Sequence, residues 1–323
     1  MGSDSVSGED TFLALDIGGT NVKCGLVTRS GAILGTHSFP TQEASGPEPL
    51  IRLIAGRLKG LAGRHAAGRR PKAIAMAAPG WLKAREGIVV VAPNIPGWKD
   101  VHISKLMGEA LGIPAHLEND ANLYALGEWL GGAGKGHDNM VGVTLGTGVG
   151  GGLILEGRLW AGPSYSAAEI GHIPLGGNDR LCGCGRRGCL ETIASATGVA
   201  QVARERLLAG EKTIYEGAPD RLTSELMVGL AGKGDPLSLA AFREAGEAIG
   251  LVLASIFNIL GIDTAVIGGG GAGAFEFLKP PIMGVLGRQV VASDLGDLKV
   301  LKGTLGGDAP FVGAAALLTE LGH

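Results

Sequence analysis

The sequence predicts an α/β protein made of two similar halves, on three observations. Short apolar strands alternate with segments of helical periodicity along the chain. A strand, a glycine–threonine turn and a second strand occur twice, at Leu15-Asp16-Ile17-Gly18-Gly19-Thr20 and at Val143-Thr144-Leu145-Gly146-Thr147-Gly148. The chain of 323 residues is 45% hydrophobic, which is two domains or one large one at roughly 100–200 residues per domain. The second strands of the repeat end in Gly25-Leu26-Val27 and Gly152-Leu153-Ile154 and match only after a one-residue shift. A repeat on this scale implies two α/β halves rather than a solenoid.

The elements follow in order. Thr11–Ile17, Val22–Thr28 and Ala32–Phe39 are short apolar runs separated by glycine turns and read as a β-meander. Pro49–Leu61 carries Leu50, Leu53, Ile54, Leu58 and Leu61 at helical spacing. Lys72–Ala77 and Gly87–Val91 read as strands and Ile103–Leu111 as a helix. Pro114–Leu117 is a short strand running into Glu118-Asn119-Asp120, and Ala121–Leu130 is a helix. The pattern restarts with strands Asn139–Leu145 and Gly150–Leu155, then the turn Glu156-Gly157-Arg158. Beyond Gly188 the chain is mostly helical: Pro236–Leu260 is a long amphipathic helix, Thr264–Ile267 a strand, and Ala309–Leu321 a final helix.

Composition excludes several classes. Glycine numbers 58, roughly 18% against a usual ~7%, but no every-third-residue register persists, so collagen fails. A mean hydropathy of +0.26 excludes a disordered chain. The remaining account of the glycine is many tight turns and places where backbone approaches a ligand. The net charge is −3 without a long basic or acidic run, which argues against an extended nucleic-acid surface and leaves room for a local patch. The apolar stretch Ala248–Ile262 is too short to span a membrane and contains Ser255 and Asn258. The leader Met1–Asp10 is polar and acidic, unlike a secretory signal. Four cysteines, three of them within Cys182–Cys189, do not make a disulfide framework, so a reducing cytoplasm is expected.

Five motifs carry chemistry. In Asp16-Ile17-Gly18-Gly19-Thr20-Asn21, the glycines let backbone N–H groups face a phosphate, Thr20 adds a hydroxyl, and Asp16 is placed to hold magnesium. An ordinary hairpin with a capping aspartate explains this motif alone equally well. Leu145-Gly146-Thr147-Gly148-Val149-Gly150-Gly151-Gly152 is its counterpart in the second half. The third is Val266-Ile267-Gly268-Gly269-Gly270-Gly271, a strand running into glycines before a helix, suited to an anion or an adenine ring. Gly268, Gly270 and Gly273 fit a dinucleotide-binding spacing. However, a run of glycines fits many patterns, and too little chain follows for a βαβ dinucleotide unit. The fourth, Glu118-Asn119-Asp120, places polar residues before an apolar helix. Asn119 or Asp120 caps that helix on the simplest account. Beside two phosphate-type turns, a carboxylate at this junction reads instead as the base that takes a proton from an attacking hydroxyl.

The fifth motif is the most specific. Glu169-Ile170-Gly171-His172 precedes Cys182-Gly183-Cys184-Gly185-Arg186-Arg187-Gly188-Cys189-Leu190-Glu191. His172, Cys182, Cys184 and Cys189 are the ligand set of a closed, structural zinc site, and the intervening glycines let the loop fold around the ion. Glu169 and Glu191 are surplus to the metal and suited to accept hydrogen bonds from a polyhydroxylated substrate. The loops Ala78-Pro79-Gly80 and Pro93-Asn94-Ile95-Pro96-Gly97-Trp98 offer Asn94 to a sugar hydroxyl and Trp98 to the core. Cys24 reads as a small buried hydrophobe, Lys23 as an exposed strand lysine, and Trp160 and His102 as structural residues.

On Asp16–Thr20, Glu118–Asp120, Leu145–Gly152, Glu169–His172 and Cys182–Glu191, in this order, the sequence closely resembles the ROK family of bacterial sugar kinases and related repressors, from about Thr11 to Leu321. The resemblance implies an actin-like ATPase (ribonuclease H-like) fold with two α/β domains around a cleft. It places a small domain at 11–118, a large one at 119–308, and the helix 309–321 back on the small domain. It implies that Asp120 is the general base, that Gly80, Asn94, Asn119, Asp120, Glu169, His172 and Glu191 line the sugar site, and that His172, Cys182, Cys184 and Cys189 bind structural zinc. ATP with magnesium would lie against Asp16, Gly18, Gly19, Thr20, Asn21, Gly146, Thr147, Gly148, Gly269 and Gly270. Family repressors carry an N-terminal helix-turn-helix, and the ten residues before the first strand leave no room for one. The expectation is therefore a cytoplasmic kinase, a homodimer or homotetramer, binding no nucleic acid or membrane. Its expected reaction is transfer of the γ-phosphoryl of ATP, rather than of polyphosphate, to the 6-hydroxyl of D-glucose. N-acetylmannosamine, N-acetylglucosamine, fructose and allose are the rival acceptors, and a sugar sensor without turnover is the alternative from another class.

Overall fold

The computed structural model describes residues 8–92, 94–291 and 296–323. Pro93 and most of the Met1–Asp10 leader lie outside the described residues. In chain order the strands are β1 (Thr11–Ile17), β2 (Asn21–Thr28), β3 (Ile33–Pro40), β4 (Ile74–Ala78), β5 (Trp81–Lys83), β6 (Ile88–Val91), β7 (Lys99–Val101), β8 (Ala115–Asn119), β9 (Met140–Leu145), β10 (Val149–Leu155), β11 (Arg158–Leu159), β12 (Thr264–Gly268) and β13 (Lys299–Lys302). The helices are α1 (Pro47–His65), α2 (Ile103–Leu111), α3 (Asp120–Gly131), α4 (Glu191–Ala194), α5 (Ala196–Leu208), α6 (Ser224–Ala231), α7 (Pro236–Leu260), α8 (Phe275–Gln289) and α9 (Ala309–Glu320).

The chain forms two compact units: residues 8–136, 157–167 and 307–323, and residues 137–156 and 168–306. In the first unit the sheet runs β3-β2-β1-β4-β8. β1 is antiparallel to β2 and parallel to β4, and β4 is parallel to β8. β4 is buried along its whole length, which requires cover on both faces of the sheet. Leu13, Leu15 and Ile17 share a core with Leu50, Ile54 and Leu58 of α1 and with Met107 of α2. Helix α9 packs against β1, β4 and α3. The boundary expected at 118/119 differs from the observed division, which keeps α3 in the first unit. The reason is the close packing of α3 on α9.

In the second unit the strands run β10-β9-β12-β13, repeating the order and directions of β2-β1-β4-β8. The one-residue shift in the repeated sequence has a structural counterpart. Ile17 pairs with Val22 around the first turn, whereas Leu145 pairs with Val149 around the second, one residue shorter. Helix α7 packs along α8 through Gly246 and Gly250, where a Cβ would press on the Leu278 and Ile282 carbonyl oxygens at 2.8 and 3.1 Å. One expectation is corrected here. The third glycine run does lie within a βαβ unit, between β12 and α8, with β13 parallel to β12. The chain after the run is long enough after all, since α8 and β13 are both complete by Lys302.

Candidate active site

In the first unit, the parallel strands β1, β4 and β8 deliver Asp16, Gly80 and the pair Asn119-Asp120 to one edge of the sheet, the carboxyl ends of its strands. Asp16, Ala77 and Glu118 share one row of the register, so Asp16 and Glu118 stand two strands, about 10 Å, apart. Asp16 lies 3.7 Å from the Lys23 ammonium, so the strand lysine expected to be merely exposed has a partner. Burial raises the Asp16 carboxyl pKa, against the pull of Lys23. A second positive charge there would oppose this shift and favour the ionised carboxylate, which suits a magnesium ligand.

The turn between β1 and β2 is closed by the Gly18 N–H donating to the Asn21 carbonyl (2.9 Å). Thr41 clamps it from outside: its N–H donates to the Thr20 carbonyl (2.9 Å) and its hydroxyl to the Gly18 carbonyl (2.7 Å). Thr41 escaped sequence reasoning because the clamp joins segments distant along the chain. Among the described residues, the N–H groups of Gly19 and Thr20 have no partner within the protein. Gly19 also brings a second predicted residue into place. A Cβ there would lie 2.9 Å from the Cβ of Asn94, so glycine lets Asn94 sit against the turn. Gly80 has φ +97 and lies so close to the Val91 carbonyl that no side chain fits. Trp98 and Cys24 are buried, as expected, and burial pushes the Cys24 thiol up to about 12, keeping it neutral.

At the junction of β8 and α3 the capping residue is Asn119. Its Oδ1 accepts from the N–H groups of Ala121 (2.8 Å) and Asn122 (3.3 Å). The cap leaves Asp120, exposed in the first turn of α3, outside the capping role, while its Oδ1 accepts from the Ala121 N–H at 2.9 Å. Glu118 lies beneath this corner. Its Oε1 accepts from the Asn119 N–H (2.8 Å) and from Asn122 Nδ2 (2.9 Å).

The second unit builds a parallel arrangement. The Gly146 N–H donates to the Gly148 carbonyl (2.9 Å), and the N–H groups of Thr147 and Gly148 have no partner among the described residues. The Gly146 carbonyl accepts from the Ala196 N–H at the start of α5 (2.9 Å). The third glycine run lies against the same strand end. Gly269, at φ +79, would set a Cβ 2.5 Å from the Leu145 carbonyl oxygen, and Gly271 would press one on the Leu145 side chain at 2.9 Å. Around Gly270 a Cβ would meet only open space. The two predicted nucleotide loops of this unit are therefore neighbours.

The segment Glu169–His172 is pinned to β10, because Gly171 seats against the Val149 carbonyl and Gly151 against that of Ala168. Ala168 itself is held at φ +63, a strained position next to the exposed Glu169. Glu191 is half-buried against the second turn. Its Oε2 accepts from the Val149 N–H (3.2 Å) and fills the space beside Gly148. Its Oε1 accepts from the Cys182 thiol at 3.3 Å. The carboxylate expected to face a sugar thus also ties the glycine turn to the cysteine loop.

His172, Cys182, Cys184 and Cys189 place one donor atom each within 4.8 Å of one another. Cys182 Sγ lies 3.7 Å from His172 Nδ1, and Cys184 Sγ 3.7 Å from Cys189 Sγ. A zinc–sulfur bond of about 2.3 Å gives a tetrahedral edge near 3.8 Å, so the donor set fits zinc. Hydrogen bonds from Arg186, backbone first and then side chain, lower the Cys184 thiol to about 6. Burial raises Cys182 to about 12 and raises Cys189. Of the intervening glycines, Gly185 and Gly188 need φ of +85 and +84, whereas Gly183 meets nothing that would exclude a side chain.

With these arrangements in view, comparison with known proteins is decisive. The model of the ROK family matches residues 12–320. A glucokinase from Thermotoga maritima is 33% identical over 312 residues, covering 96% of this chain and 97% of its own. The crystal structure of a ROK family glucokinase from Streptomyces griseus in complex with glucose and AMPPNP superposes with a TM-score of 0.76 at 32% identity, covering 95% of this chain and 98% of that one. A ROK family transcriptional regulator, homologous to the Mlc protein of E. coli, superposes with a TM-score of 0.84 at 26% identity, over 98% of this chain and 79% of its own. Among the described residues no helix is long and apolar enough to cross a membrane. The chain belongs to the ROK family and has the actin-like ATPase fold of its kinases.

Proposed function

We propose that this protein is a glucokinase, transferring the γ-phosphoryl of ATP to the 6-hydroxyl of D-glucose. The observation that carries the reading is the β8–α3 corner. Asn119 takes the capping role, and an exposed carboxylate, Asp120, stands at the carboxyl edge of the sheet that also carries the Gly18–Thr20 turn. Family membership and full-length similarity to a glucokinase support it.

In this reading the glucose 6-hydroxyl gives its proton to Asp120 as its oxygen attacks the γ-phosphorus, and ADP departs. Gly80, Asn94, Asn119, Glu169, His172 and Glu191 hold the sugar hydroxyls. The unpartnered N–H groups of Gly19, Thr20, Thr147 and Gly148 receive phosphate oxygens, with Gly18, Asn21 and Gly146 shaping the two turns. Gly269 and Gly270 leave space for the nucleoside. Asp16 would hold magnesium, which neutralises charge on the transferred phosphoryl. His172 and the three cysteines would hold a structural zinc that fixes the loop bearing Glu191. The protein acts in the cytoplasm as a homodimer or homotetramer.

The test is a coupled ADP-release assay over glucose, fructose, allose, N-acetylglucosamine and N-acetylmannosamine, with ATP or polyphosphate as donor. Glucose with ATP should give the highest kcat/KM. Asp120→Ala should lower kcat by about 10²–10⁴-fold while glucose binding, followed by calorimetry, persists. Undiminished turnover in that variant would remove the mechanism, and preference for an N-acetylhexosamine would reassign the substrate.

A further inference from the structure

The opposite edge of the first unit's sheet, where β1, β4 and β8 begin, holds a cavity of about 550 Å³. Asp10, Arg69, Arg70, Lys72 and Gly112 line it. A second cavity of about 350 Å³ shares Arg69 and Arg70 with the first and adds Lys59. Both belong to the first unit and lie at the far ends of the strands that carry Asp16, Gly80 and Asn119.

The acids Glu9 and Asp10 line the larger cavity and not the second. Glu9 accepts from the Ser30 hydroxyl (2.7 Å), and Asp10 pairs with Arg29 (3.1 Å) and Lys72 (3.6 Å). Arg70 donates instead to a neutral acceptor, the Gly112 carbonyl (2.6 Å), which orients its guanidinium and leaves its charge intact. Among the described residues neither Arg70 nor Lys59 forms an ion pair. The backbone is shaped for this display. Ala67 and Gly68 hold φ of +49 and +80 ahead of the arginines, a conformation that alanine rarely adopts. On the other wall Gly112 has φ +69, and a Cβ there would stand 3.1 Å from Arg70 Nη2. A guanidinium fixed at one nitrogen, with further donors remaining, suits a phosphate group. Both cavities fall in the range of about 300–1,000 Å³ that accommodates small molecules.

We propose that the second cavity, which Arg70, Arg69 and Lys59 line together, binds a phosphomonoester, a small molecule whose dianionic phosphate these three residues hold. The inference does not depend on the kinase reading. The experiment is hydrogen–deuterium exchange on the full chain with glucose 6-phosphate or inorganic phosphate as the probe. A segment-resolved readout separates this cavity from the candidate active site. Glucose 6-phosphate should slow exchange in segments 66–72 and 111–114, and inorganic phosphate should do so only at higher concentration. Arg70→Gln should raise the half-saturating concentration about tenfold, the loss of one charge-assisted contact. Lys59→Gln, which removes no hydrogen bond or ion pair among the described residues, should weaken the protection without altering the fold. Absence of protection in both segments, or protection unchanged in both variants, overturns the site. Equal potency of inorganic phosphate overturns the assignment to an ester.

Discussion

Glu118 is 5% exposed, and its two hydrogen bonds come from an amide N–H and a carboxamide. Burial therefore raises its pKa, with the hydrogen bonds from Asn122 and Asn119 opposing. A carboxyl group with a raised folded-state pKa contributes most below its unfolded value, 4.5, and that contribution is lost as pH rises through the folded value. Glu118→Gln should accordingly flatten this part of the profile: the fall in unfolding free energy above pH 4.5 should be smaller in the variant. Urea denaturation at a series of pH values measures the difference, and parallel profiles would show that the charge is not paid for in stability. Gln can retain the acceptor role toward Asn119 and Asn122, so the corner that presents Asp120 should persist.

The α3–α9 pair shows how a helix is placed rather than merely formed. Gly127 of α3 lies directly on the Ala309 carbonyl, and Gly313 of α9 directly on that of Leu123. Neither position has room for a Cβ, so the two backbones touch at both points. This crossing sets the axis of the helix whose first turn holds Asp120. Gly127→Ala would have the higher helix propensity in isolation, by ~1 kcal/mol. In the folded protein it should instead destabilise by about 1–3 kcal/mol, since backbone rather than a flexible side chain blocks the Cβ. Thermal unfolding of the variant checks this, and a raised melting temperature would show that the helices separate freely. At this scale the sequence displayed the helices but gave no reason for their glycines.

For the molecule as a whole, the duplicated sheet and the cysteine loop have different legibility. The loop follows from ligand chemistry: a His and three Cys within a short span announce a tetrahedral site, and their donor atoms do converge. Zinc held there should stabilise the second unit by mass action on the folded state. Metal removal by a chelator should lower the melting temperature, and added zinc should restore it. Calorimetry paired with elemental analysis tests this, the expected content being one zinc per chain. An unchanged melting temperature after verified removal would deny the ion a structural role. The duplication was legible only as two glycine–threonine turns out of step by one residue. The register explains the offset as a difference in hairpin length.

The sequence by itself determined the longer strands and helices, though not the short strands β5, β7, β11 and β13, together with the glycine turns, the His and Cys donors of the cysteine loop and the polar corner ahead of α3. Each is a local property, set by side-chain periodicity, backbone preference or ligand spacing. The tertiary structure decided which glycines have no substitute, that Asn94 sits on the Gly19 turn, that Thr41 clamps that turn, and that the Gly269 run lies against Leu145. It also decided that Glu191 joins the second turn to the cysteine loop. These are approaches between residues far apart in sequence, and no local pattern encodes them. They exist only once the order and register of the strands have brought distant backbone together, where a single Cβ is enough to forbid the contact.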